Sequence, residues 1–272
     1  FQPGYQHQFS LAEASLDLQC IVALNETQDL GIRFFNESGS APDIMRLKLF
    51  RYGTALELSD IIPLLENLGF RVLVEHPHEI MPREDTTIWM YDFTLRFTMD
   101  IQGALDLDAV REHFQQAFQA VWRGHSANDG FNRFVLGARL DWRSAALLRA
   151  YAYYLKQLGS PFGLSFIADV LAKHLELTRN LLALFRFKFD PRLHASSEDG
   201  DEQQMAQRTD RVERLAGKII DGLDEVENRN EDEVIRRYLA LLQATLRTNF
   251  FQSDESKSET PSLGKSEGEQ EY

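Results

Sequence analysis

The chain has 272 residues, 43% hydrophobic and 26% charged, which suits one large or two ordinary globular domains with a sizeable core. Its net charge is −13, and 10 Lys/Arg against 19 Asp/Glu from Ser196 onward put −9 of that near the C-terminal end, so the clustered basic surface of a nucleic-acid binder is excluded and an anionic membrane surface is a poor partner. Cys20 is the single cysteine, which excludes an internal disulfide or a thiolate metal cluster and fits a reducing, cytoplasmic setting; no apolar run approaches the ~20 residues of a membrane span.

The opening stretch FQPGYQHQF has neither the charged nor the apolar region of a secretory signal, and without an initiator Met it reads as a piece of something longer. Residues 10–24 predict a helix capped by Ser10, with Leu11, Ala14, Leu18, Ile21 and Val22 on its core face and Cys20 packed within it. Two strand-like runs follow at Gly31–Phe35 and Met45–Arg51, separated by a polar turn. A helix over 59–68 is predicted with Ser59 as its cap, an apolar stripe of Ile61, Ile62, Leu65 and Leu68, and Gly69 as its stop.

FRVLVEHPHEI then resumes strand character, and TTIWMYDFTLRF alternates clearly. Trp89, Tyr91, Phe93, Leu95 and Phe97 share one face, and Asp92, Thr94 and Arg96 share a wetter one. A helix over 106–123 buries Val110, Phe114, Ala117, Phe118 and Val121. Four strands with helices on one face predict an α+β, ferredoxin-like (ACT-like) two-layer sandwich, permuted because an extra strand leads.

The stretch SANDGFNRFVL opens an all-helical segment and poses a choice. Asn128, Asp129, Asn132 and Arg133 could be gathered for chemistry, or they could mark a helix start. Phe131, Phe134, Val135, Ala138 and Trp142 recur at helical spacing, and Ser126 with Asp129 matches a capping arrangement. Helix punctuation is the better reading, with Asn128, Asp129 and Arg133 as a structural junction.

Further helices are expected at 142–158, 163–174 and 177–189. Residues 191–203 read as a linker. Met205, Val212, Ile219 and Val226 then recur every seven residues, ahead of a partner helix at 231–249 capped by Asn230 and Glu233. That pair predicts a helical hairpin over 204–252, protruding or docking through its heptad-like face. The polar tail 253–272 is expected to be disordered. The domain plan is therefore 1–124, an ACT-like module with flanking helices; 125–190, a helical segment; then linker, hairpin and tail.

Chemistry-bearing motifs are scarce. No Gly-x-Gly-x-x-Gly or Walker-type loop follows a strand, and no Gly-x-Ser-x-Gly elbow occurs. His76 and His78 flank Pro77, but a metal needs three or four ligands and His7, His113, His125, His174 and His194 are scattered. The acidic run at 230–233 reads as a helix N-terminus. Tyr52-Gly53-Thr54 is the one candidate ligand loop. It leads toward the helix predicted to be capped by Ser59, where backbone N–H groups could hold an amino-acid carboxylate; a plain strand-to-helix turn is the alternative.

RLKLFRYGTALELSDIIPLLENLGFRVLVEHPHEI, AFQAVWRGHSANDGFNRFVL, WRSAALLRAYAYYLKQLG and RRYLALLQATLRTNFFQ together resemble the large bacterial NAD-specific glutamate dehydrogenases. The resemblance runs from near Phe1 to about Gln252. It implies the N-terminal ACT-like and helical region, upstream of the domain that carries the catalytic lysine motif and binds NAD. It also implies that no catalytic, cofactor-binding or metal-binding residue lies in this chain, and that its partners are other domains and subunits of a homo-oligomeric parent, with an amino acid as an effector. The alternative is a free-standing ACT-like amino-acid sensor or scaffold.

Overall fold

Alternating apolar residues in four segments build one antiparallel sheet in the computed structural model of the protein, which describes residues 3–37, 39–83, 85–99, 107–193 and 201–252. The strands are β1 (Leu30–Phe35), β2 (Ile44–Tyr52), β3 (Phe70–Arg83) and β4 (Thr86–Phe97), in the order β1-β2-β4-β3. Period-two alternation sends Phe34, Leu47, Leu49, Phe93 and Leu95 to one face, all of them buried. That face packs under α3 (Leu58–Asn67) and α4 (Leu107–Trp122), where the Phe34 and Phe114 rings stack at 4.2 Å.

The opposite face is not the wetter one that alternation suggested. Two N-terminal helices, α1 (Pro3–Gln8) and α2 (Leu11–Val22), lie across it. Tyr5, Phe9, Ile21 and Leu24 meet Phe50, Ile80, Ile88 and Met90 in a second small core. Ser10 caps α2 with Glu13 in a reciprocal capping box. The helix is turned away from the predicted core face, however. Asp17 and Ile21 are its buried residues, whereas Leu11, Leu18 and Val22 are exposed. The reason is the buried charge cluster described below, which fixes Asp17 inward.

Helix α3 also departs from expectation. Its cap is Glu57, which makes no side-chain capping bond, and Ser59 sits exposed inside the first turn. Leu64, rather than Ile62, joins Ile61 and Leu65 in the buried stripe.

The helical part begins with a broken stretch rather than one continuous helix. Gly130–Arg133 forms a 3-10 turn, and α5 covers only Phe134–Gly137. Arg139 adopts a left-handed φ of 55°, and Asp141 then caps α6 (Trp142–Gln157) by accepting from the Ser144 N–H. Phe131, Phe134, Val135 and Ala138 are buried as the spacing predicts, but Trp142 is only half-buried because α6 starts there in a new direction.

Helices α7 (Leu164–Lys173) and α8 (Leu175–Phe189) follow, then α9 (Asp201–Leu223) and α10 (Arg229–Ala244). Asn228 caps α10, its carboxamide oxygen accepting from the Asn230 and Glu231 N–H groups, so Asn230 and Glu233 lie inside the helix. The hairpin does not protrude. Ala216, Ile219, Leu223, Val234, Ile235, Tyr238 and Leu242 are buried in the same core as Leu181 and Leu184 of α8. Most of the predicted linker and all of the tail at 253–272 lie outside the described residues. Among the described residues, no helix is long and apolar enough to cross a membrane.

Candidate functional site

The candidate ligand loop is an open turn. Gly53 has a φ of 78°, a left-handed conformation that favours glycine, and its N–H donates to the Thr87 carbonyl at 2.9 Å. A Cβ added there would meet nothing within 4 Å. Tyr52 donates its N–H to the Asp29 carbonyl, and Thr54 donates back to Tyr52. The loop does not feed α3 directly. Leu56 intervenes, its N–H donating to the Tyr91 hydroxyl at 2.9 Å, and burial pushes that phenol up. Glu57 and Asp60 then flank the helix start, so an incoming carboxylate would meet two of its own charge. Ser59 stands apart, exposed.

The junction residues are drawn together by a residue that sequence reasoning missed. Arg149 of α6 is nearly buried and donates from Nε to Asp129 Oδ2 at 2.7 Å and from Nη2 to Asp129 Oδ1 at 2.9 Å. Nη2 also reaches Asn132 Oδ1 at 2.7 Å and the Ala127 carbonyl, while Nη1 reaches the Ser126 hydroxyl. Asp129 Oδ1 in turn accepts from the Phe131 N–H at 3.0 Å, capping the 3-10 turn. Asn128 accepts from Asn67 at 2.9 Å, tying the junction to the end of α3. Arg133 turns outward instead, pairing with Asp169 of α7 at 2.8 Å. A signal for Arg149 did exist: it falls on the stripe of Ala145, Leu148, Ala152 and Leu155, where a charge demands a partner. All three guanidinium nitrogens are engaged, so Arg149 ties Ser126, Ala127, Asp129 and Asn132 into one cluster.

A second set of contacts fastens α10. Glu231, in its first turn, accepts from Lys173 at 2.8 and 2.9 Å and pairs with His174 Nε2 at 2.7 Å. The Lys173 ammonium, aided by His174, holds this carboxyl below its usual range despite burial. The Tyr238 hydroxyl donates to the Leu148 carbonyl at 2.9 Å. At the other end, Lys188 donates to the Leu242 and Gln243 carbonyls at 3.0 and 2.6 Å, where a helix C-terminus has unpaired acceptors. Tyr151 and Thr245 share a hydroxyl bond of 2.8 Å, and Arg143 donates to the Phe250 carbonyl at 2.9 Å. Phe250 and Phe251 pack their rings against Phe185.

The outer sheet face holds the most unusual chemistry. Lys48 and Asp17 are both fully buried and meet at 2.6 Å. The Tyr5 hydroxyl donates to the same Asp17 oxygen, Oδ2, at 2.7 Å, and Arg33 reaches the other oxygen, Oδ1, at 2.5 Å. The Lys48 ammonium also sits 3.6 Å from the Phe9 ring centroid, a cation–π contact. Arg46 pairs with Asp92 beside it. His78 lies edge-on to Tyr5 and Phe9, its Nε2 buried with no hydrogen-bond partner among the described residues, and burial lowers its pKa below the usual 6.5. Lys48 lies opposite Asp92 in the sheet, on the face that alternation marked as wetter, and no alternation rule reveals a covering helix.

Comparison with known proteins decides what this arrangement belongs to. Residues 29–110 match the ACT3 domain of glutamate dehydrogenase, and residues 126–191 match its helical motif 3. Residues 218–266 match the catalytic domain of bacterial NAD-glutamate dehydrogenase. The chain is 40% identical over 258 residues to the NAD-specific glutamate dehydrogenase of Halomonas elongata and 39% over 254 residues to that of Pseudomonas aeruginosa. It is 30% identical over 254 residues to that of Mycobacterium tuberculosis. All three family models are of glutamate dehydrogenase, and all three relatives are NAD-specific glutamate dehydrogenases. These alignments take in 94, 93 and 92% of the chain, which spans only 15% of the length of each relative.

In the terms of the glutamate dehydrogenase models, the sheet with α3 falls within the ACT3 match and α5 to α8 fall within helical motif 3. Helix α10, which sequence reading assigned to an arm, falls within the catalytic-domain match. The fastenings of α10 therefore cross a family boundary. Arg143, Tyr151, Lys173, His174 and Lys188 belong to the helical motif, whereas Glu231, Leu242, Thr245 and Phe250 belong to the catalytic match.

Proposed function

We propose that the chain is a non-catalytic portion of a cytoplasmic, homo-oligomeric enzyme that oxidises L-glutamate to 2-oxoglutarate and ammonia and passes hydride to NAD. Its own task is to hold the beginning of the catalytic domain in a fixed place. The observation that carries this is the set of bonds at both ends of α10, which run from helical motif 3 into residues matching the catalytic domain. The strand order β1-β2-β4-β3 supports a ferredoxin-like sandwich beneath it, with β1 taking at the front of the chain the edge that the last strand fills in the unpermuted fold.

The described residues do not fit NAD. A dinucleotide's pyrophosphate rests on a Gly-rich turn between a strand and a helix N-terminus. Here the turn after β2 has one glycine, and the helix beyond it opens with Glu57 and Asp60, which would repel a phosphate. The dinucleotide site is therefore assigned to the part of the parent enzyme outside this chain.

The test is made in the whole enzyme. Lys188→Met combined with Tyr151→Phe removes the ties at the C-terminal end of α10, and kcat should fall several-fold with KM for glutamate little changed. An unaltered kcat in a normally assembled double variant would remove the mounting role.

A further inference from the structure

Helix α2 carries an apolar seam that faces away from the rest of the chain. Leu11 is 92% exposed, Val22 76% and Leu18 49%. These residues stand at i, i+7 and i+11, so they line one face of the helix across three turns. Apolar burial alone would turn that face onto the sheet. The helix is instead rotated by roughly the ~100° that separates neighbouring residues, so that Asp17 points inward and Leu18 outward. Asp17 is held there by Lys48, Arg33 and the Tyr5 hydroxyl. A buried ion pair contributes little net stability compared with apolar packing, but it fixes one orientation because the charges cannot be buried unpaired. The cluster thus acts as a rotational lock that presents the Leu11–Leu18–Val22 seam outward.

We propose that this seam is an interdomain docking surface, covered by an apolar face elsewhere in the same parent polypeptide. Two observations select that occupant. The chain spans 15% of the length of its relatives, so most of such a polypeptide lies outside it. Three side chains also present far less area than the ~1,600 Å² that separate molecules bury in a stable complex. Covalent connection raises the effective concentration of the two faces and lets a small patch suffice. The inference rests on the reading of the chain as a portion of the larger enzyme.

The test replaces Leu18→p-benzoylphenylalanine in the full-length enzyme and irradiates it. The expected product migrates at the mass of one subunit, carries a cross-link from position 18 to a segment outside residues 1–272, and is lost when Leu11→Asp and Val22→Asp are added. A cross-link at the mass of two subunits, or no cross-link in an enzyme that still oxidises glutamate, would overturn the proposal. As a control for folding, Leu11→Asp should leave the melting temperature of the chain alone unchanged, because the residue is 92% exposed there, yet lower that of the full-length enzyme. Equal effects on both would also overturn it. A full-length protein without NAD-dependent glutamate oxidation would instead sink the underlying enzyme reading, which keeps the two failures apart.

Discussion

Lys48 and Asp17 meet at 2.6 Å with neither side chain reaching solvent, and they come from elements that lie on opposite sides of the second core. Removing Asp17 takes from the buried Lys48 ammonium the carboxylate it pairs with. Asp17→Ala should therefore cost about 3–5 kcal/mol in urea unfolding, while Asp17→Leu with Lys48→Met should cost far less or even stabilise. If the single variant unfolds at the same urea concentration as the parent chain, the pair does not anchor α2.

Arg149 is expected to control the junction in a way that charge alone cannot replace. Arg149→Ala should lose roughly 1.5–3 kcal/mol, the range for hydrogen bonds to a charged group. Arg149→Lys should recover little of it, because an ammonium cannot reproduce the planar fork that grips Asp129, Asn132 and Ala127 together. Full recovery by Lys, measured in the same denaturant series, would reduce the cluster to simple charge pairing.

Phe134 is fully buried beside Phe131 at the start of the helical part. Phe134→Ala should cost about 3–5 kcal/mol, the usual range for a buried aromatic. A loss under ~1 kcal/mol, which is what surface positions show, would mean that the aromatic pair does not pack the junction.

The alternating strands, the cap at Ser10 and the apolar stripe of α4 were legible because each follows a local pattern. The orientation of α2 was not. Its strongest apolar stripe faces out, and only the distant Lys48 and Arg33 explain why. Ser59 looked like a cap because caps are read from residue type, whereas the backbone turns into helix at Glu57. The helix predicted to run through Trp142 breaks because Asp141 caps a new one, a competition that hydrophobic spacing does not register. Arg149 and the ties on α10 join residues 17 to 107 positions apart, which no local pattern links.

Acid should loosen the cover over the outer sheet face first at His78. Burial lowers its folded pKa below the unfolded value of 6.5, despite Asp92 and Asp17 nearby; His76 and Lys48 add to the lowering. The unfolded chain therefore binds a proton that the folded chain resists, and stability falls as pH drops from 6.5 toward the folded value. His78→Asn should lose less stability across that window. Glu231, whose carboxyl is held below 4.5, contributes stability that is present above 4.5 and lost below it, so Glu231→Gln should flatten only the lower window. Identical pH profiles for His78→Asn and the parent chain would exclude His78 as the source.

The most direct test of the central claim is a spectrophotometric assay of the purified, folded chain with L-glutamate and NAD, run beside the full-length enzyme. Hydride transfer needs the nicotinamide held against the substrate α-carbon, and the described residues offer no turn that would seat the dinucleotide. The full-length enzyme should accumulate NADH, whereas the chain alone should not rise above a protein-free control. A reproducible, glutamate-dependent rate from the chain alone would contradict its assignment as a mount for a catalytic site built elsewhere.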